Sequence, residues 1–258
     1  MANLLEKLGR ITFARIWRLA THPSVLHTTL TAPPSTGPVN AAVALCADLD
    51  RETAETWRRE FLMDGNFFSA LDRGMVERRG RRATWRPWYE LFYILVRHMK
   101  PSVVVETGVF DGQSSAVILQ ALEHNGAGTL VSIDLPATDA IEGSTHRMTE
   151  SSLPRGCDPG WIVPDFLRSR YRLTFGDARI LLPEILTREY PEIDVFFHDS
   201  LHTYEHQYFE YAAAWPHLRK GGLLLSDDVF WSAAFPRFCK EQHVDYVRVG
   251  GFGAARRP

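Results

Sequence analysis

"VVVETGVFDGQSS", residues 103–115, is a β-branched run that ends in an acid, crosses two glycines four apart and opens into Ser-Ser. Consecutive valines are strand material. Gly108 and Gly112 interrupt the run where the chain must turn, and Ser114 with Ser115 suit the start of a helix. A strand that passes through such a turn into a helix presents backbone N–H groups to a ligand at its carboxyl end. The turn is not GxGxxG and no basic residue of a phosphate loop follows, so a ligand without phosphates suits it better.

Outward from this turn the pattern repeats. "TLVSIDL" (129–135), "YRLTFGD" (171–177), "IDVFFHD" (193–199) and "GGLLLSDDV" (221–229) are further short apolar runs, with helical stretches at 114–123, 164–170, 178–189 and 204–218. The alternation predicts an α/β fold, a doubly wound and mostly parallel seven-stranded sheet with helices on both faces. A helix at 233–242, a strand at 244–249, a glycine turn and a very short final strand close the chain.

Residues 1–100 read as a helical cap and 101–258 as the ligand-binding domain. In the cap, Trp57, Phe61, Leu62, Phe68 and Leu71 recur at helical spacing, with a break at Gly65-Asn66 left open. "WYELFYILVRHM" (88–99) reads as a buried helix stopped before Pro101. The basic run "ERRGRRATWR" (77–86) reads as a solvated loop, because no other basic segment joins it into a nucleic-acid surface. Residues 1–20, carrying Lys7, Arg10, Arg15 and Arg18 among apolar residues, read as an amphipathic helix suited to packing or to a homodimer contact, without the apolar core of a signal peptide. The long segment 136–162, with Trp161, is of a length that usually has a function and reads as a lid.

The chain's 258 residues are 45% hydrophobic, and 29 basic residues nearly balance 31 acidic ones. That balance recruits neither nucleic acid nor a membrane surface, and no apolar run reaches transmembrane length. Cys46, Cys157 and Cys239 are far apart and form no CxxC pair, which fits a reducing cytoplasm and disfavours a thiolate zinc site.

Every one of the five parallel runs ends in an acid: Glu106, Asp134, Asp177, Asp199, and Asp227 with Asp228. One such acid is commonly a helix cap. Five in succession are harder to attribute to capping, and ligands bind where those ends converge. Asp134 suits the two hydroxyls of a ribose, or a cap. In "FFHDSLHTYEH" (196–206), Asp-Ser is an ordinary helix opening; His202 and His206, one helical turn apart, are an alternative transition-metal pair, but a lone histidine is usually structural and His206 is read so. No HExxH is present.

Together, "VVVETGVFDGQSS", "VSIDLP", "FGDARILLPEI", "IDVFFHDSLHTYEH" and "GGLLLSDDV" resemble class I S-adenosylmethionine-dependent methyltransferases, over about residues 102–229. Within that superfamily they are similar to metal-dependent small-molecule O-methyltransferases of the catechol type and a related bacterial group. The resemblance implies that Glu106 and Gly108 face the methionine part of the cofactor, Ser114 its carboxylate, Asp134 the ribose, and Asp177 with Ala178 the adenine edge. Phe110, where the wider superfamily has glycine and catechol-type members an aromatic, and Gly112 complete the turn, and His198 lines or supports the pocket. Asp199, Asp227 and Asp228 fall on the metal positions, hard oxygen donors for Mg²⁺ or a similar ion. Relatives usually have Asp-Asn where this chain has Asp227-Asp228. His202 stands where catechol-type enzymes place a proton-accepting lysine, which implies His202 as the base beside Asp199. The expected reaction is methylation of a hydroxyl on a phenolic, sugar or other small-molecule acceptor. Three rivals stay open: a metal-free N- or O-methyltransferase, an NAD-dependent oxidoreductase on the same sheet, and a non-catalytic nucleoside-binding module.

Overall fold

The computed structural model describes residues 32–136 and 153–258. The helix read at 1–20, its dimer contact and most of the 136–162 segment lie outside the described residues.

In chain order the elements are α1 (Pro38–Leu45), α2 (Arg51–Leu62), α3 (Gly65–Arg79), α4 (Trp88–Met99), β1 (Val103–Thr107), α5 (Gln113–Asn125), β2 (Thr129–Asp134), a 3₁₀ turn (Asp165–Arg170), β3 (Tyr171–Phe175), α6 (Ala178–Arg188), β4 (Ile193–His198), α7 (Tyr204–Ala214), β5 (Leu218–Ser226), α8 (Ala234–Glu241), β6 (Tyr246–Val249) and β7 (Phe252–Arg256). The seven strands form one sheet in the order β3-β2-β1-β4-β5-β7-β6. All pairs are parallel except those of β7, which runs antiparallel to β5 and β6. The order reverses between β1 and β4, the place where a doubly wound sheet opens a crevice.

Side-chain alternation along the strands builds two cores. Val104, Leu130, Val195, Phe197, Leu223 and Leu225 face α1–α5. Val105, Val131, Ile133, Phe196 and Leu224 face α6, α7 and α8. Helices α1–α4 therefore share a core with the sheet; α4 lies between the other cap helices and the strands, which is why residues 88–96 are buried all round.

Several boundaries differ from the sequence reading. The break in the cap falls at Met63-Asp64, because the Asp64 carboxylate accepts from the Phe67 N–H and starts a new helix at Gly65. Helix α1, with Pro38 in its first turn, carried no periodic signal long enough to read. The final strand is not a short tail: β7 begins inside the glycine run and is buried between β5 and β6. The five parallel strands lie at the runs read for them, but β5 starts at Leu218 and stops at Ser226, leaving both aspartates beyond the strand.

Candidate active site

The alternation that builds the cores also sorts the strand-end groups. Glu106 and Asp134 continue the face of Val104 and Leu130, toward α4 and α5. The Asp199 N–H donates to the Thr107 carbonyl and the Asp227 N–H to the His198 carbonyl, so the parallel ladder runs one residue past each strand. Asp199 and Asp227 thereby stand on neighbouring strands, level with each other, on the face of Phe197 and Leu225. Burial and the repulsion from Asp227 both push the Asp199 carboxyl well above the ordinary carboxylate range, opposed by Arg86. Asp227 is raised too, by burial, with Arg86 again opposing.

Asp228 does not join them. It is the next residue, its backbone turns left-handed (φ 49°), and its Oδ1 lies against Gly251, 3.5 Å from where a Cβ there would stand. Among the described residues no group of three or more His, Cys, Asp or Glu side chains is gathered closely enough to hold a metal ion. The expected triad of Asp199, Asp227 and Asp228 is not gathered into such a group among the described residues, although Asp228 still adds its charge to those acting on Asp199. Two neighbouring carboxylates fit a hard cation that completes its shell with water or acceptor oxygens, so the donor chemistry suits a divalent ion at Asp199 and Asp227.

The glycine turn is held from below. Asp134 Oδ2 accepts from the N–H groups of Val109 and Phe110, each at 2.8 Å, and its Oδ1 accepts from the Leu135 N–H at 2.7 Å. Oδ2 is filled by its two donors, while Oδ1, with one, retains a lone pair for a hydroxyl donor. Gly108 and Gly112 have φ of 81° and 95°. What requires them is the chain itself: a Cβ on Gly108 would overlap the Asp199 carbonyl, and one on Gly112 would lie 2.7 Å from the Gly160 Cα. Close approach of backbone to backbone, not to a ligand, fixes both glycines.

Glu106 is fully buried and accepts from the hydroxyls of Ser114 (2.9 Å), Ser115 (2.6 Å) and Ser132 (2.7 Å). Burial pushes its pKa up to about 7 although the three hydroxyls oppose it. The Ser114 hydroxyl is committed to Glu106, while the N–H groups at the start of α5, which no side chain caps, suit an anionic group. Asp177 caps α6 by accepting from the Arg179 N–H at 2.8 Å, with Ala178 buried behind it.

His198 is placed away from the rim. It shares a face with Thr107 and Ser226, toward α7, and its Nδ1 sits 2.5 Å from buried Glu210. Glu210 also accepts from Thr107 (2.5 Å), Ser200 (2.8 Å) and His206 Nε2 (2.8 Å). Burial alone would raise the Glu210 pKa, but His198 and His206 hold it far below the carboxylate range. His206 is therefore a structural partner of Glu210. His202 is the histidine that reaches the rim, its Nε2 3.7 Å from Asp199 Oδ1 and its ring centre 6.3 Å from that of Trp231.

Sequence reasoning missed three contributors. Arg86 Nη1 lies 3.6 Å from Asp227 Oδ2, and Tyr89 lies buried beside the same charges. Asp111, buried in the glycine turn, takes Arg79 at 2.5 Å and the Trp161 indole N–H at 2.7 Å. The run 77–86 is thus not simply solvated: Arg79 and Arg86 both reach the site. Only its position directly ahead of a buried helix hinted at this. Trp161 also borders a cleft of about 650 Å³ between α3, residues 156–162 and β3, distinct from the acid rim.

Comparisons with known proteins bear on the fold. Residues 105–229 match a methyltransferase-domain family model. No curated protein matches the chain significantly. Among solved structures, an O-methyltransferase from Bacillus cereus in complex with SAH is 15% identical, covering 79% of this chain and 100% of its own, with a TM-score of 0.50. A methyltransferase from Geobacter sulfurreducens is 18% identical over 81% of this chain and 96% of its own, with a TM-score of 0.51. Cofactor-bound Rv0187 from MTB is 16% identical over 73% and 89%, also at 0.51. Likeness at such identity establishes the fold.

Proposed function

We propose that the chain, whose residues 105–229 match a methyltransferase-domain family model, moves a methyl group from S-adenosylmethionine to a hydroxyl of a small acceptor on the acid rim. The observation that carries this reading is Asp134, which pins the glycine turn through both oxygens while its Oδ1 keeps an acceptor site that suits a ribose hydroxyl. The complex with SAH in the Bacillus cereus structure supports the choice of nucleoside.

When bound, S-adenosylmethionine supplies an electrophilic methyl on a cationic sulfur. The uncapped N-terminus of α5 receives its carboxylate, Asp134 its ribose and the Asp177–Ala178 corner its adenine edge. Asp199 and Asp227 would hold a divalent cation, which polarises an acceptor hydroxyl and lowers its pKa. His202 accepts the acceptor's proton, and the Asp199 carboxylate beside it stabilises the resulting imidazolium. Phe110, Leu201 and Trp231, each between 39% and 47% accessible, give the rim apolar walls that suit an aromatic or otherwise flat acceptor.

A second reading omits the cation and leaves proton removal to His202 alone. It is favoured by Arg86, already placed on Asp227. The test is transfer of labelled methyl from S-adenosylmethionine to a panel of phenolic and sugar acceptors. Loss of transfer in EDTA and recovery with Mg²⁺ is the result expected for the first reading. Full activity in EDTA selects the second, and absence of transfer to every acceptor, with NAD bound in place of the nucleoside, removes both.

A further inference from the structure

Arg86 is a charged contact on the acid rim that the proposed reaction leaves unused. Its Nη1 stands 3.6 Å from Asp227 Oδ2, longer than a hydrogen bond, so charge and not a guanidinium fork holds the pair. Asp227 is 7% accessible at its side chain, whereas Arg86 is 51% accessible. The backbone beneath is anchored: Pro87 follows directly and the helix α4 it opens is buried. Arg86 therefore has a fixed root and a side chain free to leave.

Resting on the divalent site read at Asp199 and Asp227, we propose that Arg86 is the internal competitor for that site. Its guanidinium occupies Asp227 while no divalent cation does, and loading of the cation displaces it into the open cleft. Two cations on one carboxylate repel each other, so the two states are exclusive. The exchange lets two adjacent carboxylates persist in the cation-free protein, and it sets cation affinity below that of the bare pair. Because Arg86 belongs to the cap and Asp227 to the sheet, loading also breaks a contact between them.

The experiment is calorimetric titration of the full chain with Mn²⁺, comparing wild type with Arg86→Met and Arg86→Lys, with circular dichroism to verify folding. Loss of the charge in Arg86→Met is expected to tighten Mn²⁺ binding about tenfold or more, while Arg86→Lys, which keeps the charge, stays close to wild type. Should Arg86→Met fail to fold, Arg86→Gln takes its place. Equal or weaker Mn²⁺ binding in the neutral variant overturns the competition while leaving the divalent site intact. Absence of Mn²⁺ binding in wild type and variants alike overturns both, and retained binding of S-adenosylhomocysteine in the same samples keeps the nucleoside site separate from that failure.

Discussion

Glu106 shows how a single residue ties stability to the site. Its carboxyl is raised by burial to about 7, above its value in the unfolded chain, so ionisation opposes folding. The sign follows: the penalty is absent below the unfolded pKa, grows as pH rises, and is complete above about 7. Glu106→Gln, which removes the charge but keeps the shape, is expected to be more stable than wild type at pH 8 by up to about 3 kcal/mol. The difference should vanish near pH 4, as melting curves across that range will show; a Gln variant less stable at every pH contradicts it. Gly108→Ala is expected to cost several kcal/mol, roughly 3 or more, because the added Cβ meets the Asp199 carbonyl and not a movable side chain. Denaturant unfolding measures it, and a cost under about 1 kcal/mol sinks the argument. The glycines were readable as a turn, but the backbone they make room for belongs to segments about 50 to 90 residues further on, which no local pattern contains.

At the scale of elements, the β4–α7 connection is built around Glu210, on which Thr107, His198, Ser200 and His206 converge. Glu210→Ala strands these donors in a dry interior and is expected to cost about 3 kcal/mol, with Tm falling by roughly 6–12 °C. A shift within 2 °C, or about 1 kcal/mol, would show that the network is dispensable. A second joint fastens the cap: Glu60 accepts from Tyr93 and Arg97, and His124 stands beside it. Partial burial would raise Glu60, but Arg97 and Tyr93 hold it below its ordinary value. Its stabilisation is therefore present above the unfolded pKa and lost as pH falls through the folded one. Wild type should exceed Glu60→Gln in Tm at pH 7, and the gap should close on acidification; a gap that widens reverses the assignment. Strands and helices were legible because apolar period separates them. The placement of Asp228 was harder to read: period-2 alternation puts adjacent residues on opposite faces, yet two adjacent acids at a strand end resemble a joint ligand set until the left-handed backbone at Asp228 is seen. Arg79 and Arg86 were hidden for a different reason, since a basic run looks the same whether it meets solvent or a carboxylate distant in sequence.

For the molecule as a whole, five parallel strands and their acids were legible from residues 103–229, and the antiparallel return of β7 was not, because "GGFG" reads as a turn while its second half is strand. The cap was legible as helices but not as part of the same core, which depends on α4 lying against Phe197 and Phe252. What the fold adds is a crevice at the reversal between β1 and β4, with Asp134, Glu106, Asp199 and Asp227 on one side of the sheet and the histidine–glutamate network on the other. The most direct test of that arrangement is a crystal structure with S-adenosylhomocysteine. The expected result is the nucleoside across the Gly108–Gly112 turn, with its ribose on Asp134 and its adenine beside Asp177 and Ala178. A nucleoside seated instead in the cleft between α3 and β3, or no nucleoside bound at saturating concentration, contradicts it.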